Sequence, residues 1–186
     1  MMKKPQGYDE VQAFGEFETL PAGGYKCIIK KIVCETSQNG KEYLKLAVDI
    51  IEGEYQDFFK KKFDADSREE KKWPGTWVVF TEGFNPGTTS KYYKGLITSI
   101  EASNANFKFD HINEQTLVNK KVGIVFREEE FEGFDGAVHT STKPFYAVSI
   151  DKVEEAKIPN PKKLAQKGES FDDFGAVPSD NDDLPF

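Results

Sequence analysis

The sequence predicts a mainly β domain in which one helix lies between the third and the fourth of five strands. Residues 43–50 alternate strictly between two sets of side chains, as a strand of a half-buried sheet does. Turn residues separate this stretch from several other short segments that are rich in apolar side chains. Residues 91–104 have the apolar spacing of an amphipathic helix, with Tyr93, Leu96, Ile97 and Ile100 at positions i, i+3, i+4 and i+7.

The first three predicted strands follow one another closely. Ala22-Gly23-Gly24 is a turn signal that opens the first strand, Tyr25 to Glu35, and Asn39-Gly40 suits a tight reversal after it. The second strand places Leu44, Leu46, Val48 and Ile50 on one face and Tyr43, Lys45, Ala47 and Asp49 on the other. A turn at Glu52-Gly53-Glu54 precedes the third predicted strand, Phe58 to Asp64.

The helix and two strands complete the predicted domain. Residues 66–72 are a charge run that predicts a loop or one helical turn, and Pro-Gly pairs within 73–77 and 85–87 predict turns. The helix is predicted over 91–104, with Thr89 or Ser90 as its N-cap. The last two strands, about 121–129 and about 137–151, are joined by a predicted hairpin loop over 130–136.

This order of elements defines the predicted architecture. Three strands, a helix and two strands is the order of the five-stranded OB barrel, which we predict for residues 21–157. A small β-sandwich with one helix is the alternative. Residues 1–20 are interpreted as an N-terminal arm, 158–181 as a disordered acidic linker, and 182–186 as a separate tip, because proline, glycine and polar residues dominate beyond position 157.

The net charge of −7 is distributed unevenly along the chain. Residues 168–186 hold six carboxylates and no lysine or arginine, whereas residues 1–167 hold 25 basic and 26 acidic side chains. The acidity therefore belongs to the tail, and a nearly neutral body can still carry a basic surface.

The remaining composition predicts a cytosolic protein. The sequence contains no run of about 18 apolar residues and no apolar segment behind its N-terminal lysines. Cys27 and Cys34 lie seven positions apart on one predicted strand, about 23 Å, which is too far for a disulfide. Two thiols also fall short of a zinc site, so we expect no metal and no cofactor.

Lysines interleaved with aromatic residues predict a surface for single-stranded nucleic acid. Such surfaces combine a basic groove for phosphates with rings on which bases stack. The candidate residues are Lys26, Lys30, Tyr43, Lys45, Phe58, Lys60, Lys62, Trp73, Trp77, Arg127, Phe131, Phe134 and Lys143. Other interpretations remain open: Phe59 and Phe63 as core, the lysines of the third strand as a solvated edge, the tryptophans as a plug, and the last hairpin as too acidic for phosphate.

The C-terminus gives the most specific signal. Asp182 and Asp183 precede Leu184, Pro185 and Phe186, a combination that suits a partner with an apolar pocket and a basic rim. Asp-Asp-Leu-Pro-Phe resembles the acidic tip of bacterial single-stranded-DNA-binding proteins. The body is similar to phage or prophage relatives of that family at Leu20-Pro21-Ala22-Gly23-Gly24-Tyr25, at the turn 51–54 and at the helix from Lys91.

The resemblance implies sequence-independent binding and protection of single-stranded DNA during phage replication, recombination or repair. It also implies recruitment of proteins of those processes through the tip, in a chain that could form a homo-oligomer. One alternative is an adaptor whose body binds protein or duplex. Another is a metal-dependent nuclease using the carboxylates of 128–135, but these form one contiguous run instead of converging from separate elements. We therefore expect a protein that is not an enzyme.

Overall fold

The computed structural model describes residues 3–4 and 18–164. Most of the N-terminal arm, the linker beyond residue 164 and the tip lie outside the described residues. The elements are β1 (Gly23–Thr36), β2 (Glu42–Ile50), α1 (Phe58–Ala65), β3 (Thr76–Phe80), α2 (Lys91–Ser103), β4 (Lys121–Glu132) and β5 (Val138–Val148). Short 3-10 turns cover Glu114–Leu117 and Ile150–Lys152.

The five strands form one antiparallel sheet in the order β3-β2-β1-β4-β5. This confirms the mainly β class and the helix between the third and fourth strands. Among the described residues no hydrogen-bonded ladder joins the edge strands β3 and β5, so the sheet is not closed into a barrel.

The core lies between the inner face of the sheet and α2. The predicted inner face of β2 is buried throughout, and Leu96, Ile97 and Ile100 of α2 belong to the same buried cluster. The other face of β2 was predicted to be exposed, but Lys45, Ala47 and Asp49 on that face are also buried. For Asp49 the reason is the start of α1, which reaches its carboxylate.

The predicted third strand over 58–64 is wrong, because these residues form α1. Asp57 at its N-cap has a left-handed backbone (φ 57°) and makes no capping bond with its side chain. Instead Asp49 Oδ1 accepts the backbone N–H of Phe59 at 3.1 Å and that of Ile50 at 3.0 Å. A carboxylate ten positions earlier therefore caps the helix, and Lys60 becomes an i,i+4 partner of Asp64.

The actual third strand, β3, lies in a segment for which the sequence predicted turns. Gly75 continues its ladder, since Val48 donates its N–H to the Gly75 carbonyl at 2.9 Å. A Cβ atom on Gly75 would lie 2.5 Å from the Val48 carbonyl oxygen and 2.6 Å from the Phe59 ring. The glycine therefore permits close packing of β3 on β2 and α1.

The other elements agree with the sequence to within a few residues. Ser90 is the N-cap of α2, and its hydroxyl accepts the N–H of Tyr93 at 3.5 Å. β4 continues three residues beyond its predicted end, so the hairpin turn is shorter and closes where Gly133 donates its N–H to the Ala137 carbonyl. Cys27 and Cys34 form no disulfide, as predicted. No helix among the described residues is long and apolar enough to cross a membrane.

The described chain continues past the predicted domain boundary at residue 157. Lys162 lies beside β4 as a parallel bridge to Glu129. Its N–H donates to the Glu128 carbonyl, and its carbonyl accepts the N–H of Glu130, both at 2.9 Å. The chain therefore leaves the described part of the molecule next to the β4–β5 hairpin.

Asp49 is expected to make stability depend on pH. Burial raises the pKa of its carboxyl, although the N–H groups of Ile50 and Phe59 act in the opposite direction. Its Oδ2 atom is buried and has no hydrogen-bond partner among the described residues. A raised folded-state pKa means that the folded protein holds the proton of Asp49 more tightly than the unfolded chain does. The stabilisation that results from this proton is therefore complete at acid pH. It is lost as the pH rises from the ordinary pKa of aspartate through the raised value.

The Asp49→Asn variant keeps an acceptor for both N–H groups but cannot ionise. The free energy of unfolding of Asp49→Asn minus that of the unaltered protein should therefore increase as the pH rises from the ordinary pKa of aspartate through the raised value. Urea denaturation at several pH values measures this difference. Asp49→Ala, which removes the cap, should lose about 1–2 kcal/mol. Identical pH profiles for Asp49→Asn and the unaltered protein would contradict this role.

Candidate nucleic-acid interface

The β4–β5 hairpin extends beyond the rest of the sheet. β1 pairs with β4 as far as Gly23 opposite Phe126, and from Arg127 onward β4 pairs with β5 and with Lys162. We call residues 127–143 the arm. None of the arm residues is classed as buried, although the Ser141 hydroxyl oxygen is buried.

The two faces of the arm differ in chemistry, because residues directly opposite each other share a face and successive residues alternate. One face carries Arg127 opposite Lys143, Glu129 opposite Ser141, and Phe131 opposite His139. The other carries Glu128, Glu130 and Glu132 opposite Thr142, Thr140 and Val138. Three of the carboxylates that make this hairpin acidic therefore point away from Arg127, Lys143 and Phe131.

A β-bulge extends the first face toward α2. Val125 lies opposite Tyr146 and Phe126 opposite Pro144, so Phe145 is the extra residue of β5. The Arg127 guanidinium carbon lies 3.8 Å from the centre of the Phe145 ring. That ring is 5.6 Å from the ring of Tyr92 on α2, and the Lys91 Nζ atom lies 5.3 Å from the Tyr92 ring.

We call the cations and rings on this face of the arm and on the adjoining start of α2 the strip. It comprises Lys91, Tyr92, Arg127, Phe131, Lys143 and Phe145. Tyr92, Phe145 and Arg127 are half-buried, and the other three are exposed. Rings that are fixed by packing but still reachable are suited to stacking with unpaired bases.

The two carboxylates nearest to the strip both have partners. Arg127 donates from Nε and Nη2 to Glu129 Oε1, at 3.0 Å each, which holds the guanidinium in place over Phe145. His139 Nε2 lies 3.0 Å from Asp135 Oδ1, and this contact lowers the pKa of the Asp135 carboxyl. The Arg127 guanidinium therefore reduces the repulsion of phosphate by the Glu129 carboxylate.

A second cluster of predicted residues surrounds a groove of about 280 Å³ beside α1. Lys30, Lys60, Phe63, Asp64 and Trp73 line it, and we call this site the groove. The Phe63 and Trp73 rings lie 5.4 Å apart, and Lys60 forms an ion pair with Asp64. Trp73 is 6% exposed and its Nε1 donates to the Val48 carbonyl, so it forms a wall of the groove and leaves little ring surface for stacking.

The remaining predicted residues do not join either cluster. Lys26 forms ion pairs with Glu52 and Glu154, which raise its pKa. The Tyr43 hydroxyl donates to Glu35 at 2.7 Å, and its ring lies 5.5 Å from that of Phe80.

Four further predicted residues are buried or occupied, and one is exposed. Lys45, Phe58 and Trp77 are buried. Lys62 Nζ lies 4.6 Å from the Phe58 ring, and burial lowers its pKa. Phe134 is fully exposed in the turn at the end of the arm.

Lys91, Tyr92 and Phe145 were missed by the sequence analysis. The run Lys143-Pro144-Phe145-Tyr146 contains a cation and two rings, and this signal could have identified Phe145 as a candidate for base stacking. Tyr92 precedes Tyr93, which the helical spacing places in the core. Successive residues of a helix do not share a face, so the spacing alone places Tyr92 outside the core. Among the described residues, no group of three or more His, Cys, Asp or Glu side chains is placed to hold a metal ion.

Comparison with known proteins adds one family. A family model described as a protein of unknown function (DUF669) matches residues 6–71, about a third of the chain. The matched region includes β1, β2 and α1 but neither the arm nor α2. No curated protein matches the chain.

Proposed function

We propose that this protein binds single-stranded DNA, independently of sequence, through the strip. The observation that carries the proposal is the contact of the Arg127 guanidinium with the Phe145 ring, which in turn contacts Tyr92. Bases gain about 1–3 kcal/mol each from stacking on aromatic side chains in proteins of this kind, and every base has a face that can stack. Cations beside the rings attract the phosphates that accompany those bases.

The topology supports the same proposal. The strand order, with α2 between β3 and β4, is compatible with an OB-type barrel that is open between β3 and β5. In that fold the loop joining the fourth and fifth strands borders the nucleic-acid groove, and here the arm occupies that position in the chain. The part of the strip on the arm therefore belongs to the segment that corresponds to this loop.

The resemblance of the C-terminal tip supports a second part of the proposal. Residues 182–186 would recruit proteins of phage replication, recombination or repair to the bound strand. The described chain ends beside the arm, so the segment that connects the tip to the domain begins there.

The direct test is titration of a dye-labelled oligothymidine, followed by fluorescence anisotropy. Intrinsic tryptophan fluorescence is a poor reporter, because Trp73 and Trp77 are each 6% exposed. We expect binding that weakens as salt is added. Lys143→Ala should reduce the slope of log affinity against log salt by about 0.7, the value for one phosphate contact on a single strand.

Lys26→Ala is the matched control, because Lys26 is already paired with two carboxylates. This substitution should leave the slope of log affinity against log salt unchanged. Absence of binding at low ionic strength would refute the proposal and favour the adaptor. Shortening of the oligonucleotide in Mg²⁺ would indicate the nuclease.

A further inference from the structure

The chain that follows β5 returns to the arm and lies along the outer edge of β4. Lys162 bonds to β4 through both of its backbone groups: its N–H donates to the Glu128 carbonyl, and its carbonyl accepts the N–H of Glu130, both at 2.9 Å. This parallel pairing gives the arm a third segment beside its two strands. We call residues 157–164 the strap.

Contacts at both ends hold the strap in place. At its start, the Tyr146 hydroxyl donates to the Lys157 carbonyl at 2.7 Å. At its end, the N–H of Leu164 donates to Glu130 Oε2 at 3.0 Å. Two prolines within the strap each fix one backbone dihedral angle, which lowers the conformational entropy that the strap loses when it docks. The strap therefore belongs to the domain, although the sequence predicted a linker there.

The pairing decides on which face of the arm the Lys162 side chain lies. Paired residues of neighbouring strands share a face, and Lys162 is paired with Glu129. Glu129 lies on the face that carries Arg127 and Phe131. Lys162 is exposed, and among the described residues no carboxylate forms an ion pair with it. Its ammonium group is therefore a cation on the strip side of the arm.

Lys162 and Lys143 lie on opposite flanks of the strip. The strap, β4 and β5 lie side by side, and neighbouring strands are about 4.8 Å apart, so roughly 10 Å separates the strap from β5. Arg127 and Phe131 lie between them on β4. Glu129 offsets the charge of Arg127 through their 3.0 Å ion pair, so Lys162 adds a positive charge where a carboxylate faces the strip.

We propose that the strap is part of the DNA site and that Lys162 binds a phosphate of the strand whose bases stack on the strip. The inference rests on the proposed function. A phosphate accompanies every stacked base, and a lysine beside the rings attracts it whatever the sequence. A DNA strand that holds Lys162 also favours the docked strap, because both contacts require the same position of this residue. DNA binding would thereby fix the start of the segment that connects the tip to the domain.

The salt dependence of oligothymidine binding by the full chain tests the phosphate contact. Lys162→Ala keeps the backbone bonds of the strap and should reduce the slope of log affinity against log salt by about 0.7, the value for one phosphate contact on a single strand. Lys163→Ala is the matched control, because Lys163 is the next residue, is also exposed and takes the other face. It should leave the slope unchanged, and Lys162→Arg should retain the slope of the unaltered chain.

Hydrogen exchange of single amides tests the coupling between DNA and strap. The Glu130 N–H donates to the Lys162 carbonyl, so its exchange rate reports whether the strap is docked. Saturating oligothymidine should slow this exchange about fivefold or more in the unaltered chain, and less in Lys162→Ala. The Thr81 N–H, which donates to the Glu42 carbonyl at the β2–β3 end of the sheet, should change less and provides the control.

Equal salt slopes for Lys162→Ala and Lys163→Ala would overturn the inference, and so would exchange at Glu130 that the oligonucleotide does not slow more than exchange at Thr81. The proposed function still stands in either case if the unaltered chain binds the oligonucleotide and Lys143→Ala reduces the slope. Absence of oligothymidine binding at low ionic strength would refute the proposed function and the inference together.

Discussion

Phe145→Ala is expected to lower the affinity for oligothymidine by about 10- to 100-fold. The substitution removes the ring on which Arg127 stacks and against which Tyr92 packs, so one stacking position and the support of its neighbours are lost together. Stacking of one base contributes about 1–3 kcal/mol, and each 1.4 kcal/mol is a factor of ten. Titration of the labelled oligonucleotide measures the change.

The salt dependence separates this effect from a loss of charge. Phe145→Ala removes no cation, so the affinity should fall while the slope against log salt stays the same. Phe84→Ala provides the control for loss of an exposed ring elsewhere in the chain. An unchanged affinity in a folded Phe145→Ala protein, with folding checked by circular dichroism, would remove the strip from the binding surface.

Trp77→Ala is expected to lower the free energy of unfolding by about 3–5 kcal/mol, the cost of deleting a large buried side chain. Trp77 lies opposite Leu46 in the β2–β3 ladder, and both are buried in the core. A loss of this size is a large part of the 5–15 kcal/mol that typically stabilises a domain. Urea denaturation measures it, and Trp77→Phe should lose less.

This prediction also decides between the two interpretations of Trp77. If the residue belongs to the core, oligothymidine affinity should be unchanged under conditions in which Trp77→Ala remains folded. Substantial loss of affinity with little loss of stability would instead assign the ring to base stacking.

Periodicity was sufficient to predict the elements whose burial is one-sided or whose ends carry clear signals. The spacing from Tyr93 to Ile100 and the N-cap Ser90 placed α2 to within one residue of its observed end. The apolar face of β2 and the glycine-rich turn between β4 and β5 were equally clear. In these elements local sequence and tertiary environment favour the same conformation.

The errors occur where a distant residue decides the local structure. Residues 58–63, two phenylalanines, three lysines and a phenylalanine, fit a strand as well as one turn and a half of helix. The helix forms with its start tied to Asp49, which no window around residue 58 contains. Likewise Gly75 was interpreted as a turn residue, but its role is the close approach of Val48 and Phe59.

The candidate site was predictable in composition and only partly in geometry. Arg127, Phe131 and Lys143 were identified from the sequence, and the structure places them on one face of the arm. Phe145 joins them because of a bulge, and Tyr92 because α2 packs against β5. Neither the bulge nor the helix contact leaves a periodic signal in the sequence.

The arm has a thermodynamic consequence of its own. Its ladder runs beyond the last pair between β1 and β4, and residues 127–143 are all half-buried or exposed. Separating its two strands would expose little apolar surface, so the arm can open locally at a small fraction of the cost of global unfolding. A ligand that holds the arm in one conformation must offset the conformational entropy that the arm loses. Once a first ligand has done so, a second ligand that needs the same conformation binds at a lower entropic cost.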